Sequence, residues 1–221
     1  MAAATSAPTS GTELLAYRDA IADCTRCPLA GSRTQVVFGA GDPDADLMFV
    51  GEAPGFHEDK QGVPFVGAAG KLLEQLLGGI GLARSDVYIT NVLLCRPPGN
   101  RDPQPDEIEA CERHLWKQVA LIRPRVVATL GNFATKLLSA KPTGITRVHG
   151  QEQETTLGGR RVLLYPIYHP AAALYTPRML DVLRSDFARL PELLGRDVEP
   201  PPEPVFLTPV TAEPAVQLGL F

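Results

Sequence analysis

Short apolar runs alternate with amphipathic stretches through most of the chain. Four runs are largely apolar, which is typical of strands buried on both faces: residues 47–50, 87–94, 126–130 and 161–167. Apolar residues also recur at helical spacing in five stretches: 13–22, 71–80, 105–121, 133–138 and 177–194. Strands that alternate with helices form a parallel sheet covered on both faces. We therefore predict an α/β fold, a three-layer α/β/α sandwich around a central, mainly parallel four-stranded sheet.

The two ends of the chain lack this pattern. Residues 1–12 are small and polar, without the basic and apolar regions of a signal peptide, so we expect a disordered tail there. Residues 195–221 are rich in proline and acidic residues, a composition that favours an extended linker. One folded domain is therefore expected over residues 13–194. No stretch has the roughly 20 apolar residues of a membrane-spanning helix, so we expect a cytoplasmic protein with no membrane partner.

The charge of the chain is unevenly distributed. The formal net charge is −4, whereas a protein that binds polyanions through its overall charge usually has an excess of basic residues. Residues 191–221 hold five acidic residues and one arginine, so the preceding 190 residues are neutral overall. Local basic patches can therefore exist on the folded domain. The length of 221 residues suits one domain, and we expect a monomer.

The four cysteines of the chain form two pairs, Cys24 with Cys27 and Cys95 with Cys111. Cys24 and Cys27 have the C-x-x-C spacing, which suits zinc, iron–sulfur clusters or redox exchange. In a reducing compartment, such cysteines serve as metal ligands or core residues more often than as disulfides. Four thiolates satisfy zinc and a [4Fe-4S] cluster equally well, so the spacing predicts a metal centre without selecting the metal.

Polar or glycine-rich segments follow three of the predicted strands. A glycine-rich turn over residues 51–67 follows the first strand, Asn91 lies near the end of the second, and His169 follows the fourth. The carboxyl ends of parallel strands open onto one edge of a sheet, where ligands bind. The turn lacks the Gly-Lys-Ser/Thr of a phosphate-binding loop and the glycine spacing of a dinucleotide-binding fold. Its glycines allow the backbone to approach a ligand closely.

Several motifs occur together in a characteristic order: Gly51-Glu52-Ala53-Pro54-Gly55, Glu58-Asp59, residues 62–70, Asn91, the four cysteines and His169-Pro170. In this order they closely resemble the iron–sulfur, family-4 uracil-DNA glycosylases, over roughly residues 24–194. The resemblance implies the α/β/α sandwich and selects a [4Fe-4S] cluster over zinc as the group held by the cysteines. It also implies hydrolysis of the N-glycosidic bond of deoxyuridine, which leaves an abasic site for base-excision repair, with no lyase activity.

The resemblance assigns a role to three side chains. Phe65 is expected to stack on a uracil flipped out of the DNA helix. The amide of Asn91 offers a donor and an acceptor, so it can pair with uracil O4 and N3–H and reject cytosine, whose edge is reversed. His169 is expected to donate a hydrogen bond to O2, where negative charge collects as the glycosidic bond breaks.

The glycine-rich turn departs from the pattern of the best-known uracil-DNA glycosylases at two positions. Ala53 stands where they have the aspartate that positions the attacking water, so we expect Glu52 or Glu58 to orient the water. The backbone of Glu52 and Ala53 is expected to line the pocket. Gly55 replaces the aromatic residue that blocks the thymine methyl group, so exclusion of thymine must come from elsewhere.

The DNA backbone is expected to be bound by cationic residues around the site. Residues 95–102 lack the histidine-bearing basic insert of a related subgroup that forms a covalent link to DNA, so we expect an enzyme that turns over. Phosphate contacts fix the position of a protein on DNA without reading sequence. The predicted contacts are Arg96, Arg101, Arg147, His149 and Arg178.

The last five residues resemble the short peptide by which bacterial repair proteins bind the replication sliding clamp. Gln217 provides a polar anchor, and Leu218, Leu220 and Phe221 provide apolar contacts at the end of a proline-rich tether. Tethering to the clamp would raise the local concentration near DNA. Two other hypotheses remain, a non-catalytic iron–sulfur protein that binds DNA or transfers electrons, and a zinc-stabilised clamp adapter. Neither accounts for the polar residues at the strand ends.

Overall fold

A computed structural model describes residues 9–196, and within this range the strands form a single mixed sheet. Its order is β1-β3-β2-β4-β6-β5. The strands are β1 Ala40–Gly41, β2 Leu47–Gly51, β3 Tyr88–Asn91, β4 Val126–Leu130, β5 Gln153–Leu157 and β6 Arg160–Ile167. The four central strands are parallel, whereas β1 and β5 pair antiparallel at the two edges.

Helices connect the strands and flank the sheet. They are α1 Ser10–Ala20, α2 Phe56–Gln61, α3 Ala68–Gly78, α4 Pro105–Ile122, α5 Asn132–Ser139, α6 Ile145–Val148, α7 Ala171–Tyr175, α8 Arg178–Ala188 and α9 Leu190–Leu194. Short 3₁₀ turns occupy Pro28–Gly31, Arg84–Asp86 and Pro98–Asn100. Helix α4 begins at a proline, whose missing N–H costs nothing at a helix start, and Glu107 closes a capping box with the backbone N–H of Gln104.

Two apolar cores separate the sheet from its helices, which confirms the predicted three layers. On one face, Met48 and Val127 of the sheet belong to a cluster with Leu14 of α1 and Leu115 of α4. On the other face, alternate strand residues pack against α3, α8 and α9; Phe49, for example, stacks on Phe187 with ring centroids 5.7 Å apart. Residues of one strand alternate between the two cores because successive side chains point to opposite faces.

The four predicted strands are the four parallel strands at the centre of the sheet. The two edge strands were missed for different reasons. Strand β1 has only two residues, too few for any periodicity. Strand β5 is polar and half-exposed apart from Leu157, so it lacks the apolar run of a buried strand. The sheet is therefore larger than predicted, with six strands in the described residues instead of four.

The helices differ from the prediction mainly at their ends. Helix α1 begins at Ser10, within the segment expected to be a tail, because the side chain of Thr9 caps it by accepting from Thr12 N. The predicted closing helix over 177–194 is two helices, α8 and α9, divided at Arg189. Pro191 stands in the first turn of α9, where it has no N–H to continue the helical hydrogen bonds of α8.

The predicted tails lie mostly outside the described residues. Residues 1–8 and 197–221 are not described, so the predicted clamp-binding peptide at Gln217, Leu218, Leu220 and Phe221 falls outside the described residues. Arg196 still contacts the domain, because its guanidinium pairs with Glu152 at 2.7 Å. Among residues 9–196, no helix is both long and apolar enough to cross a bilayer.

Gly70 of α3 allows the helix to pack closely against the turn that precedes it. A Cβ added to Gly70 would lie 1.8 Å from the carbonyl oxygen of Phe65, so any side chain there must displace the backbone of the turn. We expect Gly70→Ala to lower the free energy of unfolding by about 1–3 kcal/mol, as overpacking does. Urea denaturation measured by circular dichroism would test this.

Gly78 of the same helix is the matched control, because a Cβ there would have no neighbour within 4 Å. Gly78→Ala should leave the free energy of unfolding unchanged or raise it by up to ~1 kcal/mol, since alanine loses less backbone entropy. Equal effects of the two substitutions would show that the Phe65 contact does not limit the packing of α3.

Candidate active site and metal centre

A cleft of about 630 Å³ opens at the carboxyl ends of the parallel strands, as predicted. Its volume falls within the range of roughly 300–1,000 Å³ found for small-molecule sites. The structure brings together in its wall every residue predicted for catalysis or base binding: Glu52, Ala53, Gly55, Glu58, Phe65, Asn91 and His169.

Asn91 is the last residue of β3, and its amide is buried at the bottom of the cleft with 2% exposure. Its Oδ1 has no hydrogen-bond partner among the described residues. A buried polar atom left without a partner costs about 1–3 kcal/mol. The arrangement therefore favours a ligand that donates a hydrogen bond to this amide.

Gly51 is the residue that allows Asn91 and Phe65 to meet. The parallel register places Gly51 opposite Asn91. A Cβ on Gly51 would lie 2.3 Å from Asn91 Oδ1 and 2.8 Å from Cζ of Phe65. Any other residue at position 51 would therefore push the amide and the ring apart.

Phe65 has a left-handed backbone conformation, with φ of 54°. Such a conformation costs a non-glycine residue roughly 1–3 kcal/mol and occurs mainly where the surroundings impose it. Arg84 imposes it here, because its guanidinium donates to the carbonyl oxygens of both Pro64 and Phe65, the latter at 2.9 Å. The ring of Phe65 lies on that of His169, with centroids 5.5 Å apart and planes inclined by 29°.

Glu58 braces the turn that carries Phe65. Its Oε1 accepts hydrogen bonds from Val66 N and Gly67 N, both at 2.9 Å. Gly67 is the N-cap of α3, so the carboxylate also lies at the positive end of that helix. One oxygen of Glu58 is therefore committed to the backbone, although the residue lines the cleft as predicted.

Glu52 is the other predicted carboxylate, and its side chain has no hydrogen-bond partner among the described residues. Burial raises the pKa of this carboxyl group, and the negative charge of Asp102 raises it further. Partial desolvation disfavours the charged form and makes a carboxylate a better proton acceptor. Glu52 lies in the cleft wall with its carboxylate uncommitted.

His169 follows β6 and is held as a neutral donor. Its Nδ1 accepts a hydrogen bond from Ala171 N at 3.1 Å, which leaves the ring proton of the neutral imidazole on Nε2. Burial lowers the pKa of His169 to about 4, against a smaller opposing effect of the Glu58 charge. The imidazole is therefore uncharged at neutral pH.

The rim of the cleft has an exposed apolar group that the sequence analysis missed. Phe56, Leu174 and Tyr175 are 50%, 47% and 86% exposed, and all three line the cleft. Leu174 and Tyr175 belong to α7, directly after His169-Pro170. An apolar run immediately after a strand-end histidine was the available signal, but apolar residues at this spacing equally suit a buried helix.

The residues predicted to contact DNA fall into different environments. Arg101 lines the cleft, but its guanidinium forms a bidentate pair with the buried carboxylate of Glu107. Arg96 lies over the ring of Phe56, 5.2 Å from its centroid. Arg147 and Arg178 are exposed away from the cleft wall.

His149 is also outside the cleft wall, and its contacts suggest a structural role. Its Nδ1 lies 3.1 Å from the buried carboxylate of Asp186, and its ring packs on Tyr168.

The four cysteines line a second, smaller cavity. Cys24 and Cys27 come from the loop after α1, Cys95 follows β3, and Cys111 lies on α4, so three separate segments converge. No disulfide links them. Among residues 9–196, no group of three or more histidine, cysteine, aspartate or glutamate side chains could hold a metal ion as it stands. The residues present still offer four thiol ligands around one cavity, a donor set that zinc and iron–sulfur clusters both use.

The surroundings of the cysteines suit thiolates that bind a cationic group. Burial raises the pKa of Cys95 to about 11 and that of Cys111 to about 12, so these thiols need adjacent positive charge to ionise. N–H donors already face them: Leu94 N lies 3.4 Å from Cys111 Sγ, and a guanidinium nitrogen of Arg33 lies 3.6 Å from Cys95 Sγ. Such donors stabilise metal-bound thiolate.

Several known proteins with similar sequences are named type-4 uracil-DNA glycosylases. The chain is 49% identical over 180 residues to a type-4 uracil-DNA glycosylase of Archaeoglobus fulgidus, which covers 80% of this chain and 90% of the relative. It is 46% identical over 181 residues to the type-4 enzyme of Sulfurisphaera tokodaii, covering 80% and 82%. It is 47% identical over 152 residues to the type-4 enzyme of Thermotoga maritima, covering 68% and 78%.

The sequence model of the uracil DNA glycosylase superfamily matches residues 38–190. The matched segment contains the cleft with all seven of its predicted residues, together with Cys95 and Cys111. The agreement covers well over half of the chain, and its relatives match across most of their own length. This chain belongs to the uracil DNA glycosylase superfamily.

Proposed function

We propose that this protein is a uracil-DNA glycosylase that flips deoxyuridine out of DNA and hydrolyses its N-glycosidic bond. The observation that carries the proposal is the group of Asn91, Phe65 and His169 at the bottom of one cleft. An unpartnered buried amide, an aromatic face and a neutral imidazole N–H are what a flipped uracil requires. The names of the similar proteins agree with this activity.

Base recognition depends on Asn91 and Phe65. The buried Oδ1 of Asn91 accepts from uracil N3–H, and its amide NH₂ donates to O4. Cytosine presents an acceptor and a donor in these positions, so it would leave both groups of the amide mismatched. Stacking on Phe65 restores part of the few kcal/mol lost when the base leaves the helix.

Bond cleavage depends on His169. As the bond between C1′ and N1 breaks, its electron pair passes to the uracil ring and negative charge collects on O2. The Nε2–H of a neutral imidazole donates to that oxygen without losing its proton. The lowered pKa keeps this group in one protonation state throughout the neutral range. Water then adds to C1′ and releases a proton.

Of the two candidate carboxylates, Glu52 is the better placed to orient the water. Its carboxylate is uncommitted and has a raised pKa, whereas Oε1 of Glu58 holds Val66 N and Gly67 N. We therefore assign Glu52 to orienting the water. Glu58 holds the turn that carries Phe65, and its negative charge acts on His169.

The apolar rim is suited to open the DNA helix. Leu174 and Tyr175 stand beside the pocket entrance, where an apolar side chain can occupy the gap left by the flipped nucleotide. Of the five predicted phosphate contacts, Arg101 and His149 have carboxylate partners, so Arg96, Arg147 and Arg178 are the better candidates. The cytoplasmic location, the monomeric state and clamp binding through residues 217–221 stay predictions.

A [4Fe-4S] cluster held by Cys24, Cys27, Cys95 and Cys111 completes the proposal. Four thiols around one cavity satisfy zinc and a cluster alike, and the resemblance to the iron–sulfur glycosylases is what selects the cluster. When bound, the cluster supplies cross-links between segments distant in sequence and no chemistry at the base. The residues of the cleft carry out every step of the reaction.

Alanine at the two polar contacts tests the function. The wild-type protein should convert a labelled oligonucleotide with one deoxyuridine into an alkali-sensitive product. His169→Ala should lower the single-turnover rate about 10²- to 10³-fold, because it removes a transition-state donor. Asn91→Ala should also lower it and reduce the preference for uracil over cytosine.

Arg184→Ala is the control, because Arg184 is an exposed cation on α8 outside the cleft wall and has no proposed contact with DNA; its rate should stay within a few-fold of wild type. Absence of cleavage at uracil by wild-type protein with an intact metal centre would contradict the proposed function and favour a non-catalytic iron–sulfur protein.

The assignment of the water predicts different effects of Glu52→Gln and Glu58→Gln. Glu52→Gln should lower the rate about 10²- to 10⁴-fold, the usual range for a group that handles the proton of water. Glu58→Gln should lose less activity, because a glutamine oxygen still accepts from the two backbone N–H groups. Full activity of both variants would exclude either carboxylate as the water-orienting group.

The raised pKa of Glu52 predicts that activity and stability change in opposite directions with pH. Because its folded-state pKa is raised, its stabilising contribution is largest at low pH and is lost as pH rises. Glu52→Gln should therefore be at least as stable as wild type at neutral pH. The wild-type rate should fall as pH drops through the raised pKa, and the variant should lack this acid limb. Rates measured as a function of pH would test the prediction on activity, and thermal unfolding at each pH would test the prediction on stability.

The metal centre predicts iron in the purified protein. Protein prepared without oxygen should show broad visible absorbance and iron at the stoichiometry of one cluster per chain, with no zinc. Cys111→Ser should lose the metal and unfold at lower temperature, because metal binding is coupled to folding at such sites. Stoichiometric zinc without iron would show that the cluster assignment is wrong.

A further inference from the structure

His114 of α4 is part of a partly buried chain of hydrogen bonds that ends on a cysteine of the proposed metal centre. Its Nδ1 lies 2.6 Å from the hydroxyl oxygen of Tyr17 on α1, and its Nε2 lies 3.6 Å from Cys24 Sγ. The histidine is 4% exposed. Neither Tyr17 nor His114 lines the cleft, so base excision does not account for them.

The protons of this chain have only one consistent arrangement once Cys24 is a ligand. A metal-bound thiolate has no proton and can only accept a hydrogen bond. Nε2 of His114 must then carry the ring proton and donate it, which leaves Nδ1 of the neutral ring as an acceptor. Tyr17 must in turn donate its hydroxyl proton to Nδ1. Each atom thus has the partner that its chemistry requires.

Tyr17 is held in place by a second aromatic neighbour besides His114. The ring of Tyr17 is held edge-on against Phe38, with centroids 6.0 Å apart. Tyr17 is thereby fixed between the core and the imidazole, so it can set the orientation of His114.

Hydrogen bonds to ligand sulfur have a defined effect on an iron–sulfur cluster. Reduction adds negative charge to the cluster, part of which resides on the sulfurs. An N–H directed at sulfur therefore stabilises the reduced cluster more than the oxidised one and raises the reduction potential. It also holds the ligand in place, and loss of such outer partners weakens metal binding roughly 10- to 100-fold.

We propose that His114 is a positioning residue of the [4Fe-4S] cluster, oriented by Tyr17, which donates a hydrogen bond to Cys24 Sγ and thereby sets the reduction potential and lifetime of the cluster. The inference deepens the proposed function and rests on its cluster. It concerns Cys24 specifically, since Cys95 and Cys111 have other N–H donors, Arg33 and the backbone of Leu94.

The test compares His114→Leu, His114→Gln and Tyr17→Phe as cluster-loaded full-length proteins. Potentials are measured by spectroelectrochemical titration, and cluster loss by the decay of visible absorbance in excess chelator. Leucine removes the donor, whereas the amide of glutamine reaches the position of Nε2 and keeps one. His114→Gln is therefore the matched control for His114→Leu.

We expect His114→Leu to shift the one-electron equilibrium about tenfold toward the oxidised cluster, ~59 mV to lower potential. It should also lose the cluster roughly 10-fold faster or more. His114→Gln should stay near wild type in both. Tyr17→Phe should shift both in the same direction by less, because the imidazole keeps its N–H but loses its fixed orientation.

Several results would overturn the inference. Equal potentials and cluster lifetimes in wild type, His114→Leu and Tyr17→Phe would show that the hydrogen bond to Cys24 affects neither property. Loss of the cluster in His114→Leu and His114→Gln alike, with Tyr17→Phe unchanged, would make His114 a ligand instead. If His114→Leu fails to fold, an unchanged potential in Tyr17→Phe alone contradicts the proposal. Wild-type protein without iron would mean instead that the proposed cluster is wrong.

Discussion

The site depends on the parallel pairing of β2 with β3, which sets Gly51 beside Asn91. Because position 51 has no side chain, the amide of Asn91 and the ring of Phe65 can approach across it. The same edge receives His169 from β6, two strands further along the sheet. Backbone hydrogen bonds between strands thus place three side chains from distant parts of the sequence within one cleft, with little freedom left to each.

The turn that presents Phe65 is strained, and the surrounding residues maintain it. The left-handed backbone at Phe65 is held by the hydrogen bond from Arg84 to its carbonyl oxygen and by the hydrogen bond from Val66 N to Glu58, while Gly70 of α3 leaves room for that carbonyl oxygen. A residue in a disfavoured conformation persists only where several contacts fix it together. This rigidity would favour the proposed stacking of a base on Phe65, since a preformed aromatic face costs no ordering entropy when a ligand binds.

The cleft and the cysteine centre are physically continuous. Asn91 ends β3 and Cys95 follows four residues later, and the intervening backbone is tied down by Val92 N to Gly51 O, Leu93 N to Glu52 O and Leu94 N to Cys111 Sγ. Helix α4 contributes both Cys111 and Glu107, the partner of Arg101 in the cleft wall. Ligation of the cysteines, as proposed, would stabilise the same segments that position the amide of Asn91, so the proposed metal centre would affect the cleft directly through the backbone.

The apolar runs and helical periodicities of the sequence predicted the parallel centre of the sheet and its layers, because burial on both faces requires continuous apolar strands. They missed β1, which has only two residues, and β5, which is polar and partly exposed apart from Leu157. Motif order likewise identified the residues of the cleft and the four cysteines.

The sequence could not show that Glu58 accepts hydrogen bonds from the backbone, that the carboxylate of Glu52 has no such partner, or that Arg84 and His114 contact these sites. Those facts depend on which side chains meet across the fold. The sequence by itself determined the fold class and the chemical groups available, since both follow from local pattern and residue type; the tertiary structure alone decided their partners, because partnership depends on distances between segments far apart in the chain.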